Sequence, residues 1–404
     1  MKCGLLGKAL SHSYSPQIHA SLGNYAYALF SVEEAQLEDF LIHGDWQGLN
    51  VTIPYKKAVI PYLDALSPIA QRLGAVNTIV YKDGKRIGHN TDYYGFQALL
   101  THSGFSPAGK KCIVLGSGGA SSVVQAVLEE MGGQVVVISR SGENHYGNLH
   151  LHSDARILVN ATPVGMYPEN GISPVDLTLF PQLEGVLDLI YNPARTQLLM
   201  DAERRGIPGY NGLWMLVAQA KEAAEWFTGH AIEENLIPQI HHTLSSQMEN
   251  IVLIGMPGCG KTTIGQALAE KLGKPFFDSD ALVEEMAQKT IPRIFAEDGE
   301  AIFRQWETKV LSELGKQSGM IIATGGGAVT QSVNYRLLRQ NSCIFWVQRA
   351  LEQLPIQGRP LSQSKSLDTL WQERADLYGK FADHIIENNG TIADAVHAIL
   401  EVLK

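Results

Sequence analysis

Residues 255 to 262 read Gly-Met-Pro-Gly-Cys-Gly-Lys-Thr, which matches the phosphate-binding pattern Gly-x-x-x-x-Gly-Lys-Thr. The apolar run from Ile251 to Ile254 before this loop predicts a buried strand, and the apolar spacing from Ile264 to Leu272 predicts a helix after it. A phosphate loop needs this strand and this helix at its two ends. The pattern therefore predicts an α/β domain that binds a nucleoside triphosphate at the start of a helix.

The residue types in the loop suit phosphate chemistry. Glycines allow the backbone N–H groups to approach phosphate oxygens, and the helix N-terminus adds positive potential. Lys261 is expected to contact the β- and γ-phosphates, and the hydroxyl of Thr262 is expected to bind Mg²⁺. Cys259 is interpreted as a small filling residue rather than a redox group.

Five further patterns follow the loop. Each is weak alone, because aspartates often cap helices and arginines often cover solvated faces. In this order they resemble shikimate kinase over about residues 249 to 404. The patterns are Asp278-Ser279-Asp280, Gly299 to Glu307, Thr324 to Gly327, Arg359-Pro360-Leu361 and Arg374 to Tyr378.

The kinase resemblance implies a role for each matching residue. Asp278 would hold Mg²⁺ through water, and Asp280 would accept a hydrogen bond from the acceptor hydroxyl and act as its base. Two guanidinium groups, those of Arg304 and Arg374, would bind the substrate carboxylate, and Gly326 would let the ring lie against the backbone. The implied ATP contacts are Gly258, Cys259, Gly260, Lys261, Thr262, Thr263 and Arg359, the last as a lid cation. The family's second arginine, which stacks on adenine, is missing from residues 351–358, where Arg349 is the nearest candidate.

The first half of the chain carries a different nucleotide signature. The run Cys112 to Leu115 leads into Gly116-Ser117-Gly118-Gly119-Ala120-Ser121, a predicted helix and a second strand that ends at Ser139-Arg140. This order predicts a dinucleotide-binding βαβ unit, in which Ser121 stands where the pattern usually has its third glycine. Arg140 replaces the acid that binds a ribose 2′-hydroxyl, which favours NADP, while the nearby Glu143 leaves NAD open.

Polar motifs before and after this unit resemble shikimate dehydrogenase over residues 1 to about 245. The resemblance implies that Lys56 and Asp92 form the catalytic pair while hydride passes between the nicotinamide and C3 of the ring. A free lysine is a poor base near neutrality, so this role requires tuning by Asp92. The motifs are Ser13 to Pro16, Asn50 to Lys56, Gly74 to Thr78, Gly88 to Asp92, Asn160 to Met166, Asp188 to Pro193 and Gly212 to Ala220.

The same resemblance implies the ligand contacts of this half. For the substrate they are Ser13, Ser15, Asn50, Thr52, Lys56, Asn77, Asp92, Tyr191 and Gln219. For NADP they are Gly116, Ser117, Gly118, Gly119, Ala120, Arg140, Thr162 and Gly212. Without the motifs, Lys56 would be a solvated lysine after a turn proline, and Asp92 could serve as a helix N-cap.

The two resemblances together predict an α/β protein with parallel sheets. Its first half would be a two-lobed dehydrogenase with a Rossmann-like NADP lobe, and its second a phosphate-loop kinase. The expected domains are 1–92 plus 213–245 for the substrate lobe, 93–212 for the NADP lobe and 249–404 for the kinase. The crossover between Arg140 and Asn160 is too short for a full helix and strand, and residues 241–247 are expected to be a short polar linker.

Bulk properties limit the partners. The chain has 404 residues and a net charge of −9 without a basic run, so small-molecule substrates are expected and nucleic acid is not. Four cysteines without paired spacing fit a reducing cytoplasm, and neither a signal peptide nor a membrane-spanning run is apparent. Oligomeric state is left open.

The functional hypothesis is a fused enzyme for two consecutive steps. The first half would reduce 3-dehydroshikimate to shikimate with NADPH, and the second would phosphorylate shikimate with ATP and Mg²⁺. One alternative is a dehydrogenase of broader specificity that also oxidises quinate. Another is a first half that no longer binds cofactor and serves as a regulatory or scaffolding module for the kinase.

Overall fold

The computed structural model describes residues 1–10, 13–354 and 366–403. The chain divides into two compact units. The first comprises Met1–Gly165, Ile172–Tyr191 and Leu198–Thr243. The second comprises Leu244–Lys404 together with two short earlier segments, Met166–Gly171 and Asn192–Gln197.

The first sheet of the first unit has six strands of mixed direction. Its strands are β1 (Lys2–Gly7), β2 (Ala26–Ser31), β3 (Gly48–Val51), β4 (Ala65–Leu66), β5 (Thr78–Lys82) and β6 (Lys85–His89). The order across the sheet is β2-β1-β3-β5-β6-β4, and β5 runs antiparallel to both β3 and β6. The prediction of parallel sheets is wrong here, because the two residues Asp83 and Gly84, with φ of 52° and 74°, turn β5 directly into β6.

The second sheet of this unit has five strands, all parallel. They are β7 (Lys111–Leu115), β8 (Gln134–Ile138), β9 (Ile157–Asn160), β10 (Gly185–Asp188) and β11 (Gly209–Tyr210), in the order β11-β10-β9-β7-β8. The predicted strand–helix–strand unit is confirmed. The shortened crossover is also confirmed, since a 3-10 helix at Tyr146–His152 takes the place of an α-helix between β8 and β9.

Eight α-helices of the described chain begin before residue 244. They are α1 (Ser15–Leu22), α2 (Leu37–His43), α3 (Pro68–Leu73), α4 (Asp92–Ser103), α5 (Gly119–Glu130), α6 (Gln197–Arg204), α7 (Leu213–Thr228) and α8 (Leu236–Met248). Helix α4 packs against α5 and α7, and its buried side chains Phe96, Leu99 and Leu100 join the core beneath the second sheet.

The expected linker at residues 241–247 is helical instead, because it lies within α8. Ile237, Ile240, Leu244 and Met248 are buried and recur at intervals of three and four residues. This spacing places them on one face of a helix. The polar residues between them suggested a loop, but the burial of this apolar face decides the conformation.

The second unit contains a parallel five-stranded sheet with the order β13-β14-β12-β15-β16. Its strands are β12 (Asn250–Ile254), β13 (Phe276–Asp278), β14 (Ile321–Ala323), β15 (Ser342–Gln348) and β16 (His384–Glu387). Its α-helices within the described residues are α9 (Lys261–Leu272), α10 (Ser279–Ala287), α11 (Ile291–Glu297), α12 (Glu300–Gly315), α13 (Ser332–Arg339), α14 (Leu367–Phe381) and α15 (Ile392–Val402). Central strand β12 is buried throughout, as its apolar run predicted.

The α/β class predicted from the sequence is confirmed. The first unit has a Rossmann-like sheet, and the second has a parallel sheet whose central strand leads into the phosphate loop. Among the described residues, none of the helices combines the length and apolar character that crossing a membrane requires.

Candidate active sites

Lys56 and Asp92 meet in the first unit. Lys56 lies in the turn after β3, and Asp92 is the first residue of α4. The Lys56 Nζ donates a hydrogen bond of 2.6 Å to Asp92 Oδ2, with the two side chains 30% and 15% exposed. The N-cap of α4 is Thr91, so the suggestion that Asp92 caps this helix is wrong. Its carboxylate is therefore available to orient the lysine.

A buried hydrogen-bond network fixes the polar side chains beside this pair. Asn50 Nδ2 donates to Thr78 Oγ1 at 3.2 Å, and the backbone N–H of Thr91 donates to Asn77 Oδ1 at 2.6 Å. The hydroxyl of Thr91 continues the network to Gln219 Oε1 at 3.4 Å. Three of the predicted substrate contacts thus belong to one connected network.

Three members of this network were not predicted from the sequence. Thr78 and Thr91 stand next to Asn77 and Asp92 in the motifs, so adjacency was a usable signal. Tyr27 lies in β2, and its hydroxyl donates to Asn50 Oδ1 at 2.7 Å. No local pattern connects it to Asn50, because strand pairing across the sheet brings the two together.

The remaining predicted substrate contacts lie on loops of the first unit or at the start of α1. The backbone N–H of Ser15, the first residue of α1, donates to Ser13 Oγ at 3.2 Å. Thr52 lies so close to Gly7 that a Cβ at position 7 would be 2.7 Å from its methyl group. The ring of Tyr191 stands edge-on to that of Tyr14, with centroids 6.2 Å apart.

The backbone of the glycine-rich loop after β7 lies close to Thr162. Gly116 has φ of 103°, and a Cβ there would lie 2.9 Å from the Thr162 methyl group, so glycine is required. Ser121 Oγ donates to Gly116 O at 2.6 Å and closes the loop where the usual pattern has a glycine. Gly118 and Gly119 have no atom within 4 Å of the position of an added Cβ. The N-terminus of α5 therefore faces open space, which suits an anionic group.

The other predicted cofactor contacts lie on separate elements. Arg140 is exposed just after β8. Thr162 follows β9, where its hydroxyl donates to Asn160 Oδ1 at 2.7 Å. Gly212 precedes α7, and a Cβ there would lie 2.0 Å from Leu189 O, so no larger residue fits.

Two histidines of the shortened crossover have structural partners. His145 caps the 3-10 helix by accepting from the Gly147 N–H at 3.1 Å, and the His152 ring is hydrogen-bonded to Asn144 at 3.0 Å. Within residues 1–10, 13–354 and 366–403, no group of three or more His, Cys, Asp or Glu side chains could hold a metal ion.

A cavity of about 530 Å³ in the second unit collects most of the predicted kinase residues. They include Gly258, Gly260, Lys261, Thr262, Thr263, Asp278, Asp280, Arg304, Gly326 and Arg374, together with Arg349. Lys261 is buried, and its ammonium donates to the carbonyls of Gly255 and Met256 at 2.9 and 3.0 Å. The loop itself therefore holds the cation at the cavity wall. Cys259 is fully buried below, as expected of a filling residue.

Two side-chain oxygens meet at the mouth of the phosphate loop. Thr262 Oγ1 donates to Asp278 Oδ2 at 2.8 Å. The other oxygen of Asp278 accepts from the Asp280 N–H at 3.0 Å and caps α10. A hydroxyl and a carboxylate at this position fit Mg²⁺, which prefers oxygen donors and binds beside phosphates.

Two carboxylates converge deeper in the cavity. Asp280 Oδ1 and Glu307 Oε1 are buried without a hydrogen-bond partner among the described residues. A Cβ added to Gly325 would lie 2.6 Å from the first oxygen and 2.7 Å from the second. Burial and the neighbouring Asp278 raise the pKa of Asp280 above its ordinary range. Burial also raises the pKa of Glu307 to about 7, although the Arg304 guanidinium opposes this shift.

Two arginines line the same cavity on different helices. Arg304 Nη1 in α12 donates to Glu307 Oε2 at 2.7 Å, and a Cβ on Gly327 would clash with this guanidinium at 2.2 Å. Arg374 Nη1 in α14 donates to Gly326 O at 3.1 Å, and Tyr378 OH donates to the same carbonyl at 2.5 Å. The missing side chain of Gly327 thus leaves room for the Arg304 guanidinium.

Glu307 and Tyr378 also belong to this site, and neither was predicted from the sequence. Each lies on the helix face of a predicted arginine, three residues after Arg304 and four after Arg374, which was the available signal. The predicted lid cation, Arg359, lies outside the described residues. The candidate for adenine stacking, Arg349, lines the cavity, and its Nε lies 3.4 Å from Gln353 Oε1.

Comparisons with known proteins match both parts of the chain. The family model for the shikimate dehydrogenase substrate binding domain matches residues 5–79, and that for shikimate kinase matches residues 257–404. Shikimate dehydrogenase (NADP(+)) of Clostridium perfringens strain 13 is 35% identical over 263 residues, covering 60% of this chain and 97% of the relative.

Solved structures agree with these matches. A chorismate mutase/shikimate 5-dehydrogenase fusion protein from Clostridium acetobutylicum is similar, with TM-score 0.57, 35% identity, and coverage of 60% of this chain and 96% of that one. Shikimate 5-dehydrogenase from Thermus thermophilus, solved in complex with NADP(H) and shikimate, has TM-score 0.55, 31% identity, and coverage of 60% and 99%. The chain therefore belongs to the shikimate dehydrogenase family through its first part and carries a shikimate kinase domain in its last part.

Proposed function

We propose that this chain is a bifunctional enzyme that reduces 3-dehydroshikimate to shikimate with NADPH and then phosphorylates the 3-hydroxyl of shikimate with ATP. The observation that carries the proposal is the presence of two separate sets of reactive groups on one chain. The first unit holds the paired Lys56 and Asp92, and the cavity of the second unit holds Lys261, Asp278 and Asp280.

The first reaction needs a hydride donor and a proton donor. NADPH, when bound, supplies the hydride to carbon 3 of the substrate. Lys56 would donate a proton to the oxygen on that carbon, and Asp92, at 2.6 Å, would hold the ammonium in place. The carbonyl thereby becomes a hydroxyl. Asn50, Asn77 and Gln219 would orient the ring hydroxyls through the network that fixes their amides.

The open N-terminus of α5 supports binding of the cofactor pyrophosphate there. Arg140 lies at the end of β8, where a guanidinium would contact a ribose 2′-phosphate. This position supports NADP over NAD as the preferred cofactor.

The second reaction transfers a phosphoryl group to the new hydroxyl. Asp280 would accept the hydroxyl proton while the oxygen bonds to the γ-phosphorus and the bond to the ADP oxygen breaks. Arg304 and Arg374 would bind the ring carboxylate, and Lys261 would neutralise charge on the phosphates. Thr262 and Asp278 would hold Mg²⁺, which supplies further charge neutralisation when bound.

The domain boundaries proposed for these activities are 1–92 plus 213–245 for the shikimate-binding lobe, 93–212 for the NADP lobe and 249–404 for the kinase. The two lobes contribute Lys56 and the glycine-rich loop, respectively, to the dehydrogenase reaction.

The direct test is a coupled assay of the full chain. Purified protein would receive 3-dehydroshikimate, NADPH and ATP with Mg²⁺, and both NADPH absorbance and shikimate 3-phosphate would be followed. We expect NADPH consumption with or without ATP, and the phosphorylated product in the presence of ATP. Failure to consume 3-dehydroshikimate, or failure to phosphorylate added shikimate, would refute the corresponding half. Quinate oxidation under the same conditions tests for broader specificity.

The shortened crossover between β8 and β9 motivates a second candidate, in which the first unit is a non-catalytic scaffold. A scaffold has no need of the ordered lysine–aspartate pair, which favours the catalytic alternative. Titration of the protein with NADPH, followed by fluorescence, distinguishes the two. Saturable binding supports the reductase, and absence of binding supports the scaffold.

A further inference from the structure

The second unit contains two segments that come much earlier in the sequence. Residues 166–171 and 192–197 cluster with residues 244–404, although the chain around them belongs to the first unit. We call them the clamp segments. The first follows Thr162, a predicted cofactor contact, and the second follows Tyr191, a predicted substrate contact.

Residues 192–197 bind the end of α13 and the start of β15. The Ala194 N–H donates to Asn341 Oδ1 at 2.8 Å, and the Arg195 N–H donates to Gln340 O at 2.8 Å. The Arg195 guanidinium donates to the carbonyls of Arg339 and Ser342 at 3.3 and 3.2 Å. The carbonyls at the end of a helix lack partners within the helix, and a cation there is favourable. Arg195 therefore acts as a cap for α13.

Residues 166–171 bind the end of α12 in a similar way. Tyr167 OH donates to Gly315 O, the last residue of α12, at 2.9 Å. Asn341 Nδ2 donates to the oxygen of Tyr167 at 2.9 Å, and Asn170 hydrogen-bonds to the side chain of Gln340. Asn341 thus contacts both clamp segments, one through each end of its amide.

The surface that receives the clamp segments is buried and polar. Gln340 and Asn341 are each 3% exposed, and Ser342 is fully buried. Buried amides and carbonyls need hydrogen-bond partners, and here the clamp segments provide them. The turn between α13 and β15 is therefore shaped to receive chain from outside residues 244–404.

We propose that the clamp segments are an intramolecular docking element whose attachment to α12, α13 and β15 holds in place the loops that carry Thr162 and Tyr191. Dehydrogenase affinity for its ligands then depends on kinase-domain residues that contact neither ligand. The physical reason is that each clamp segment continues directly into a ligand-binding loop, so that freeing the segment increases the entropy lost on binding.

The primary test is hydrogen exchange in the full chain, read by mass spectrometry on peptides covering 166–171 and 192–197. We expect Asn341→Ala to accelerate exchange by about tenfold in 192–197, because the Asn341 side chain accepts from the Ala194 N–H and the Arg195 N–H bond lies beside it. Arg195→Lys should affect 192–197, since an ammonium cannot reproduce both guanidinium contacts. Arg336→Lys is the control, because it makes the same substitution at an exposed residue of α13. Exchange in 192–197 that stays within about twofold in Asn341→Ala would overturn the proposal.

The second test is kinetic and rests on the proposed function. In Asn341→Ala, KM values of the dehydrogenase for shikimate and NADP should rise by about three- to tenfold, with kinase kcat little changed. Unchanged dehydrogenase constants despite faster exchange would contradict the link to the ligand loops. The exchange test uses no substrate, so a protein without dehydrogenase activity would refute the proposed function while still deciding whether the clamp exists.

Discussion

At the scale of single residues, burial decides the chemistry of the kinase cavity. Glu307 is fully buried on α12, with Arg304 on one side and the neighbourhood of Asp280 on the other. Removing a carboxylate from water favours its neutral form, which is why the pKa of Glu307 rises to about 7. The site therefore combines a permanent guanidinium cation with carboxylates that hold protons more tightly than usual.

This shift predicts how stability depends on pH. The protonated form of Glu307 contributes stability that is present below pH 4.5, the ordinary value, and is lost as the pH rises to about 7. Glu307→Gln cannot ionise, so its unfolding free energy relative to the unmodified protein should increase between pH 5 and 8 by a few kcal/mol. Urea unfolding of the full chain, followed at both pH values, measures this. The control Glu313→Gln, exposed on the same helix, should show no such trend.

Asp280→Asn should lower kcat for phosphorylation by about 10²- to 10⁴-fold, because it removes the acceptor of the hydroxyl proton. ATP binding should be nearly unchanged, since the phosphate loop is intact. Steady-state kinetics and equilibrium titration with ATP separate the two effects. Glu285→Gln, an exposed change on the same helix, is the control. Normal turnover with weakened ATP binding would contradict the role of Asp280.

At the scale of elements, one hydrogen bond within the glycine-rich loop takes the place of a glycine that the dinucleotide motif usually contains. Ser121 stands where the dinucleotide pattern has a glycine, and its hydroxyl ties the start of α5 to the Gly116 carbonyl. The loop thus keeps its tight path after β7. The same scale explains α8, whose buried apolar face makes a helix from residues that look like a linker.

Ser121→Ala should raise the KM for the dinucleotide by about tenfold, because one buried hydrogen bond that shapes the loop is lost. Ser122→Ala changes the exposed neighbour and should have little effect. Initial rates at varied cofactor concentration measure both. Equal constants for the two variants would show that the Ser121 hydroxyl does not shape the cofactor site.

At the scale of the whole molecule, the reactive groups fall into two separate units. Lys56 and Asp92 belong to the first, while Lys261, Asp278 and Asp280 belong to the second. The proposed reactions share one ring compound, and carbon 3 is the position changed in both.

Separate units predict separable activities. Lys56→Ala should abolish hydride transfer and leave phosphorylation unchanged, and Lys261→Ala should have the opposite effect. Lys57→Ala and Lys271→Ala, exposed neighbours in each unit, are the controls. Both activities would be assayed on each purified variant. Loss of both activities from either single change would contradict independent sites.

Motifs allowed much of the structure to be predicted. The strands and helices around both glycine-rich loops lie where the apolar spacing predicts them, because these segments are buried in parallel sheets. The mixed first sheet was missed, although the pair Asp83-Gly84 is a hairpin signal. Of the candidate sites, the motif residues were predicted and their partners Tyr27, Glu307 and Tyr378 were not.

By itself, the sequence determined which chemical groups are present and which local structures carry them. Loops rich in glycine, apolar strands and ordered motifs depend on neighbouring residues, so they can be read along the chain. Tertiary structure alone decided that Tyr27 orients Asn50, that burial raises the pKa of Glu307, and that residues 166–171 and 192–197 join the second unit. These outcomes depend on burial and on contacts between residues distant in sequence, which no local pattern encodes.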